Sequence, residues 1–483
     1  MDLILYSFTL LIALASIFFI IEKPYVAATL LVFSFVYRFN LNLPGPFDVR
    51  AYLTIFLFAR LVIFDKQNFL IVRKYLFLDF KWILIVIFIL LNFFVTYTYY
   101  GDLRYQIQYL VLLTISLILG FIIIINGQGK KVFLGGIVLA GVLTTIDIVW
   151  STLTYSSLQI RSLFKMVLLH ESFTEHSAYN QNPMGLICSY ALILTFAFLI
   201  KKQISKVVSI GLILLFSLGL LISTSRSSLI AVILVISIIL VVQKEVQFNI
   251  NKLLTTFIGV IIFFASFYFI YHAILESGQF KSSFIDQTYY RLYEEPLSLI
   301  EGNKGKVFDE YGKLKEGNAR VRKERTTRDF LKYTRLDLKS QLFGIGQGGY
   351  VAKNFGEDYF LVVPTEAHNG YINILVERGL IGLAIYILII IILSFQSFSL
   401  LRKGLINTPL IYVLLTLIFY AIAQNSELTD SLAFLFFGAV IANTKEASVR
   451  ELKNEIDKNS TVVLENVNQL DQKKSYKQSN ITY

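Results

Sequence analysis

Runs of eighteen or more largely apolar residues recur along this chain from its first residue to about residue 443. Each is long enough to cross a hydrocarbon core of about 30 Å as a helix. A soluble domain of 483 residues could not bury a sequence that is 55% hydrophobic and only 16% charged, so the bilayer must be the solvent for much of it. The runs predict spans at 3–21, 24–39, 48–64, 82–99, 105–126, 132–151, 182–200, 205–222, 227–243, 253–274, 369–396, 408–423 and 429–443. The expected fold is an all-α polytopic membrane protein with about 12–13 transmembrane helices and a large extracytoplasmic loop before the eleventh. Arg60 interrupts the third run, but an arginine near a span end can snorkel to the interface, so the span is retained. The first run ends at Glu22-Lys23 rather than at a small-residue cleavage site, which reads as a retained span and not a signal peptide.

Loop charges orient these spans. One class of short loops holds Lys23, Lys66, Arg73, Lys74, Lys81, Lys130, Lys131, Lys201, Lys202, Lys206, Lys244, Lys252, Arg402 and Lys403. The alternating class, its one very long loop aside, holds Arg38, Arg50, Arg104, Arg161, Lys165 and Arg226. Fourteen against six places the first class in the cytoplasm. Four segments follow: N-terminal transmembrane helices over 1–274, a large extracytoplasmic loop over 275–368, C-terminal helices over 369–443 and a polar, charged cytoplasmic tail over 444–483, expected to be disordered.

The single cysteine, Cys188, lies inside an apolar run, which leaves no internal disulfide and no cysteine-based metal site. The net charge of +11 follows from lysines and arginines in cytoplasmic loops and does not point to nucleic acid. No P-loop, no outer-face Asp-x-Asp pair and no metal-spaced cluster occurs, so neither a metal nor another cofactor is expected. All four histidines fall on the predicted outer face, where proton-transfer chemistry is to be sought.

Four outer stretches could carry chemistry. In Ser223-Thr224-Ser225-Arg226-Ser227-Ser228, the Arg226 fork suits phosphate oxygens, and the start of the next span favours an anion. An interfacial arginine meeting lipid phosphates fits equally well. The run Phe343-Gly344-Ile345-Gly346-Gln347-Gly348-Gly349-Tyr350 lacks the βαβ context of a nucleotide fingerprint and reads better as a glycine turn shaping the loop. Beyond it stand Glu366 and His368, then Gly370, Asn373 and Glu377, a polar stripe along an apolar helix. A carboxylate two turns deep is costly unless it faces a polar interior, so Glu377 is a functional candidate, with pairing to Arg378 as the structural alternative. His368 and Glu377, nine residues apart, fall on opposite faces of a continuous helix.

The third stretch carries Arg325, Arg328, Lys332, Arg335 and Lys339 at helical spacing, a stripe that could guide an anion or stand as a solvated face. The fourth, His176 to Pro183, reads as the cap and start of a helix, with sugar hydrogen bonding as the minor alternative.

"STSRSSL" and "FGIGQGGY" followed by "HNGYINILVERGLIGL" resemble the O-antigen polymerase/ligase superfamily, which includes Wzy-type polymerases and WaaL-like ligases. The recognisable motifs cover some 60 residues, while hydropathy agrees over about 1–443; the family's Asn-Pro-Asn-like element survives only as Asn182-Pro183. The resemblance implies a metal-independent glycosyltransferase on the outer face of the cytoplasmic membrane. Its donor would be an undecaprenyl-diphosphate-linked oligosaccharide; the bilayer, a flippase and a chain-length regulator are candidate partners. By resemblance, Arg226 with Arg325 or Arg328 would hold the diphosphate. His368, with Glu377 second, would serve catalysis, and Ser225, Asn369 and Tyr371 would contact substrate. A polymerase and a ligase share these elements. A transporter of lipid-linked oligosaccharide is the rival from another class, but it predicts broken or charged helices mid-membrane in two matched halves, and the polar residues cluster at the outer surface instead.

Overall fold

The computed structural model describes residues 18–36, 49–77, 79–100, 103–154, 181–223, 225–242, 326–327, 330–346, 369–406, 410–423 and 431–451. The described helices are α1 Pro24–Val36, α2 Val49–Phe58, α3 Lys66–Ile71, α4 Phe80–Tyr100, α5 Leu103–Ile125, α6 Gly127–Thr154 and α7 Gln181–Ile200. They continue with α8 Lys206–Ile222, α9 Arg226–Val242, α10 Leu338–Phe343, α11 Gly370–Arg402, α12 Leu410–Tyr420 and α13 Ser431–Glu451. No strand occurs among the described residues. The chain is an all-α polytopic membrane protein. Gly127–Val149, Gly370–Arg402 and Ser431–Glu451 are each long and apolar enough to span a bilayer, and shorter apolar helices accompany them. Every predicted span from 24–39 to 227–243, and each of the last three, coincides with a helix. The predicted spans at 3–21, almost entirely, and 253–274 lie outside the described residues.

Helix α13 is the axis. Over its apolar window 78% of residues are buried, and its aromatics meet four other helices. Phe434 stacks 6.3 Å from Phe88 of α4, Phe436 meets Phe133 of α6 and Tyr190 of α7, and Phe437 lies 5.7 Å from Tyr386 of α11. Against α5 the approach is backbone on backbone: a Cβ at Gly120 would stand 1.9 Å from the Leu435 carbonyl oxygen, and one at Gly438 1.9 Å from that of Leu117. Small residues permit such close helix contact where packing, rather than water exclusion, drives association.

Lys81, Lys130 and Lys403, placed by sequence in one class of loops, tie that end of the bundle together. Lys130 reaches Glu446 at 2.9 Å and Asn443 at 3.2 Å, and Lys403 reaches Glu451 at 2.6 Å. Asp79, 5% exposed, receives Lys81 at 3.3 Å and Lys445 at 3.0 Å, while Lys81 also donates to Gln396 at 2.8 Å. Burial pushes the Asp79 carboxyl up, but Lys81, its backbone N–H and Lys445 outweigh that and hold it below the usual carboxylate range.

Several details differ from the sequence reading. Residues 66–76, expected as loop, are helical: Asp65 caps α3 by accepting from Gln67 N and Asn68 N, and the helix continues as a π-turn over Val72–Leu76. Arg60 does not interrupt its span. The helix widens to a π-turn at Ala59–Ile63, and Arg60 Nε donates to the Ile21 carbonyl at 3.0 Å. The last helix passes the expected end at 443 and runs to Glu451, held by the ion pairs above; the rest of the expected tail lies outside the described residues.

Candidate functional site

The serine–arginine turn joins α8 to α9. Ser223 closes α8 and donates to the Leu220 carbonyl at 2.7 Å; Ser225 precedes α9, and its hydroxyl lies 2.8 Å from that of Ser228. Ser223, Ser225, Ser227 and Ser228 are all buried, whereas Arg226, first residue of α9, is half-buried. The first turns of α7 sit directly on this serine turn. A Cβ at Gly185 would come within 2.6 Å of Ser225 Cβ and 2.7 Å of Ser223 Oγ. Pro183 stands in the first turn of α7, where its missing N–H costs nothing. Two stretches forty residues apart in sequence are thus one structural corner.

Helix α11 begins at the same end. Asn369 caps it, its Oδ1 accepting from Tyr371 N at 3.0 Å and Ile372 N at 3.2 Å. Tyr371 donates its hydroxyl to the Ile418 carbonyl at 3.0 Å, near the end of α12. The short 3-10 turn Ala421–Ala423 that follows α12 touches both α9, which Arg226 opens, and α11, which Asn369 caps.

One turn further in, Asn373 and Glu377 are buried at 4% and 8% exposure. Asn373 Oδ1 has no hydrogen-bond partner among the described residues. The helix then breaks at Gly379, whose φ of 68° and ψ of −174° no L side chain adopts readily. Into the break fits the glycine turn after α10. Gly344, at φ 83°, donates to Ser340 O at 2.8 Å, Ile345 to Val376 O at 2.9 Å and Gly346 to Glu377 O at 2.9 Å. Three successive N–H groups are thereby spent on protein carbonyls. The turn shapes the chain, as its composition suggested, and these groups do not form a phosphate cradle.

Next to Glu377 stands Arg378, its structural alternative partner. Arg378 is fully buried, and its guanidinium carbon lies 4.0 Å from the centroid of the Phe88 ring on α4. This is cation–π contact in a desolvated setting. Its charge was visible in the sequence, but nothing local named Phe88 as its seat.

The basic stretch is not one helix as described. Residues 330–334 are helical, the chain turns at Arg335–Asp337, and Asp337 caps α10 through Ser340 N. The Ser340 hydrogen bonds hold the Asp337 carboxyl below its usual range. Tyr333 donates to Gln341 O at 2.7 Å, and Gln341 Nε2 reaches Leu336 O at 2.8 Å, which fixes the turn. Lys339 therefore lies beyond the turn that ends the helix carrying Lys332. Arg325, Arg328 and His368, together with His170, His176 and His272, lie outside the described residues. Among the described residues no group of His, Cys, Asp and Glu is placed to hold a metal.

Residues 210–387 match the family model for O-antigen ligase. The likeness to that family covers 178 of the chain's 483 residues. The family is one of glycosyl-transferring enzymes. The matched region opens inside α8, takes in the serine–arginine turn, the basic stretch and the glycine turn, and closes in α11 beyond Glu377 and the break. Comparison with curated proteins returned no match.

Proposed function

We propose that this protein is a polysaccharide polymerase that joins undecaprenyl-diphosphate-linked oligosaccharide repeat units on the outer face of the cytoplasmic membrane. The family match over 210–387 carries the reading, because that span contains every residue assigned a part in transfer. In the reaction an acceptor hydroxyl attacks the anomeric carbon of the donor sugar. The bond from that carbon to the diphosphate breaks, and the lipid diphosphate leaves with the electron pair. Arg226, with Arg325 or Arg328, holds the charge that grows on the leaving group. His368 takes the hydroxyl proton, with Glu377 the second candidate. Asn369 and Tyr371 would meet sugar hydroxyls through the Asn369 amide NH2 and the remaining lone pair of the Tyr371 oxygen, while buried Ser225 acts through the shape of its turn. No metal or other cofactor takes part.

A ligase that moves the finished glycan to a lipid or protein acceptor is the second reading, favoured by the name of the matched family. Purified protein in detergent, supplied with lipid-linked repeat units alone, separates the two. A polymerase yields a ladder of longer lipid-linked glycans. A ligase leaves the units unchanged until a second acceptor is added, and a protein that does neither with both present is not a glycosyltransferase of this kind. Cysteines at Ser156 and Gln203 in a Cys188→Ala background test the orientation: only the first should react with an impermeant thiol reagent on sealed spheroplasts.

A further inference from the structure

The α3 segment and the cleft beside it are unconnected with the proposed transfer site. Residues 66–77 lie between two spans and bury one narrow face, Asn68, Val72 and Leu76, against the bundle. Their outward face mixes two chemistries. Phe69, Leu70 and Phe77 are exposed apolar residues, joined by Ile63 and Phe64 just before. Lys66, Arg73 and Lys74 are exposed cations between them. Apolar side chains entering the acyl boundary with cations at headgroup depth are the mark of a helix lying in a membrane interface.

The nearby carboxylates are otherwise engaged. Asp65 caps α3 and accepts from the Asn68 amide at 3.1 Å, and Asp79 is held by Lys81 and Lys445. Among the described residues no ion pair reaches Lys66, Arg73 or Lys74, and Lys74 rests 4.9 Å over the Tyr75 ring. Among the described residues, positive charge at this face is therefore uncompensated.

Directly after these cations the surface opens into an apolar cleft of about 350 Å³ between α4 and α5. Phe77 and Trp82, with ring centroids 5.1 Å apart, stand in its wall, and Val86, Leu90, Leu110 and Thr114 continue it along the two helices. Arg73 precedes Phe77 by one turn of the π-segment, so the cation and the wall of the cleft share a face.

We propose that α3 and the α4–α5 cleft form a site for one anionic phospholipid, its acyl chain in the cleft and its headgroup on Arg73 and Lys74. Charge complementarity selects the headgroup, since a cation at the membrane surface favours anionic lipid over zwitterionic. The cleft, by contrast, accepts any acyl chain.

The test uses the full-length protein in nanodiscs of equal parts phosphatidylglycerol and phosphatidylethanolamine, released into native mass spectrometry. Wild type should retain one phosphatidylglycerol in clear excess over phosphatidylethanolamine. The Arg73→Gln/Lys74→Gln variant should lose that preference by about tenfold while still eluting as a folded species. Val86→Trp, which fills the cleft, should lower retention of both lipids. Equal retention of the two lipids by wild type, or an unchanged preference in the charge variant, overturns the proposal. If Val86→Trp does not fold, the charge variant decides alone, because its substitutions lie on an exposed face.

Discussion

Replacing Gly379 with alanine tests how the glycine turn and the broken helix depend on each other. At φ 68° and ψ −174° the residue occupies a region open almost only to glycine, and holding alanine there costs about 1–3 kcal/mol. Space is lacking as well. The new Cβ would stand 2.2 Å from the Leu342 carbonyl oxygen and 2.5 Å from Gly344 N. Both are backbone atoms and cannot rotate away, so the α10 turn must lift. Lifting strains or breaks the bonds from Ile345 to Val376 and from Gly346 to Glu377, each worth about 0.5–1.5 kcal/mol. The expected loss is thus about 2–6 kcal/mol, confined to this corner and seen as a fall in Tm of several degrees. The assay is thermal unfolding in detergent, beside hydrogen exchange over 338–346. Gly211→Ala is the control: nothing lies within 4 Å of its Cβ position, and it sits on an exposed helix face, so alanine there should be neutral or slightly stabilising. If Gly379→Ala melts like wild type with unchanged exchange, the two segments do not lock each other.

Other substitutions test other parts of the frame. Asp79→Asn removes the partner of buried Lys81 and should destabilise by about 3 kcal/mol or more, measured as a drop in Tm at neutral pH. Because the folded Asp79 pKa is lowered, its contribution is present above the unfolded value near 4 and fades as pH falls through the folded one; the Tm gap between wild type and Asp79→Asn should therefore narrow only below about pH 4, and a gap that stays constant there refutes the assignment. Gly438→Leu should disrupt the α5–α13 contact and lower both Tm and yield of folded protein, since its Cβ meets the backbone of Leu117; normal melting would mean the two helices can separate without loss.

Periodicity and length carried most of the fold. Apolar runs placed the spans because each span's own residues face lipid or other apolar helices, a property every residue reports locally. Most of the corrections share one cause: a contact from elsewhere in the chain helped decide them. Lys66, Arg73 and Lys74 made residues 66–76 look like loop, whereas Asp65 as a cap and a buried face against the bundle make them helix. Glu377 was legible as a buried carboxylate from its depth alone. The break at Gly379 was not, because an Arg-Gly-Leu sequence is compatible with continued helix, and the cause is the incoming Gly344 turn. Arg378 was legible only as an alternative partner for Glu377, its neighbour in sequence; its contact with Phe88, nearly three hundred residues away, was not. At the serine turn the sequence named Arg226 and its hydroxyls, yet not that Gly185 brings the start of α7 against them.

The central claim, that the corner where α9 and α11 begin transfers a glycan from a lipid diphosphate, is tested most directly by Arg226→Lys. A compact ammonium cannot reproduce a guanidinium's paired contacts with phosphate oxygens. Donor retention and transfer from lipid-linked repeat units would be measured separately on the folded, purified variant. Transfer should fall by about two to three orders of magnitude, the scale seen when one fixed group stabilising a developing anion is lost, while the Tm stays close to that of wild type. Transfer at the wild-type rate would contradict the claim and leave Arg226 as an anchor at the membrane interface.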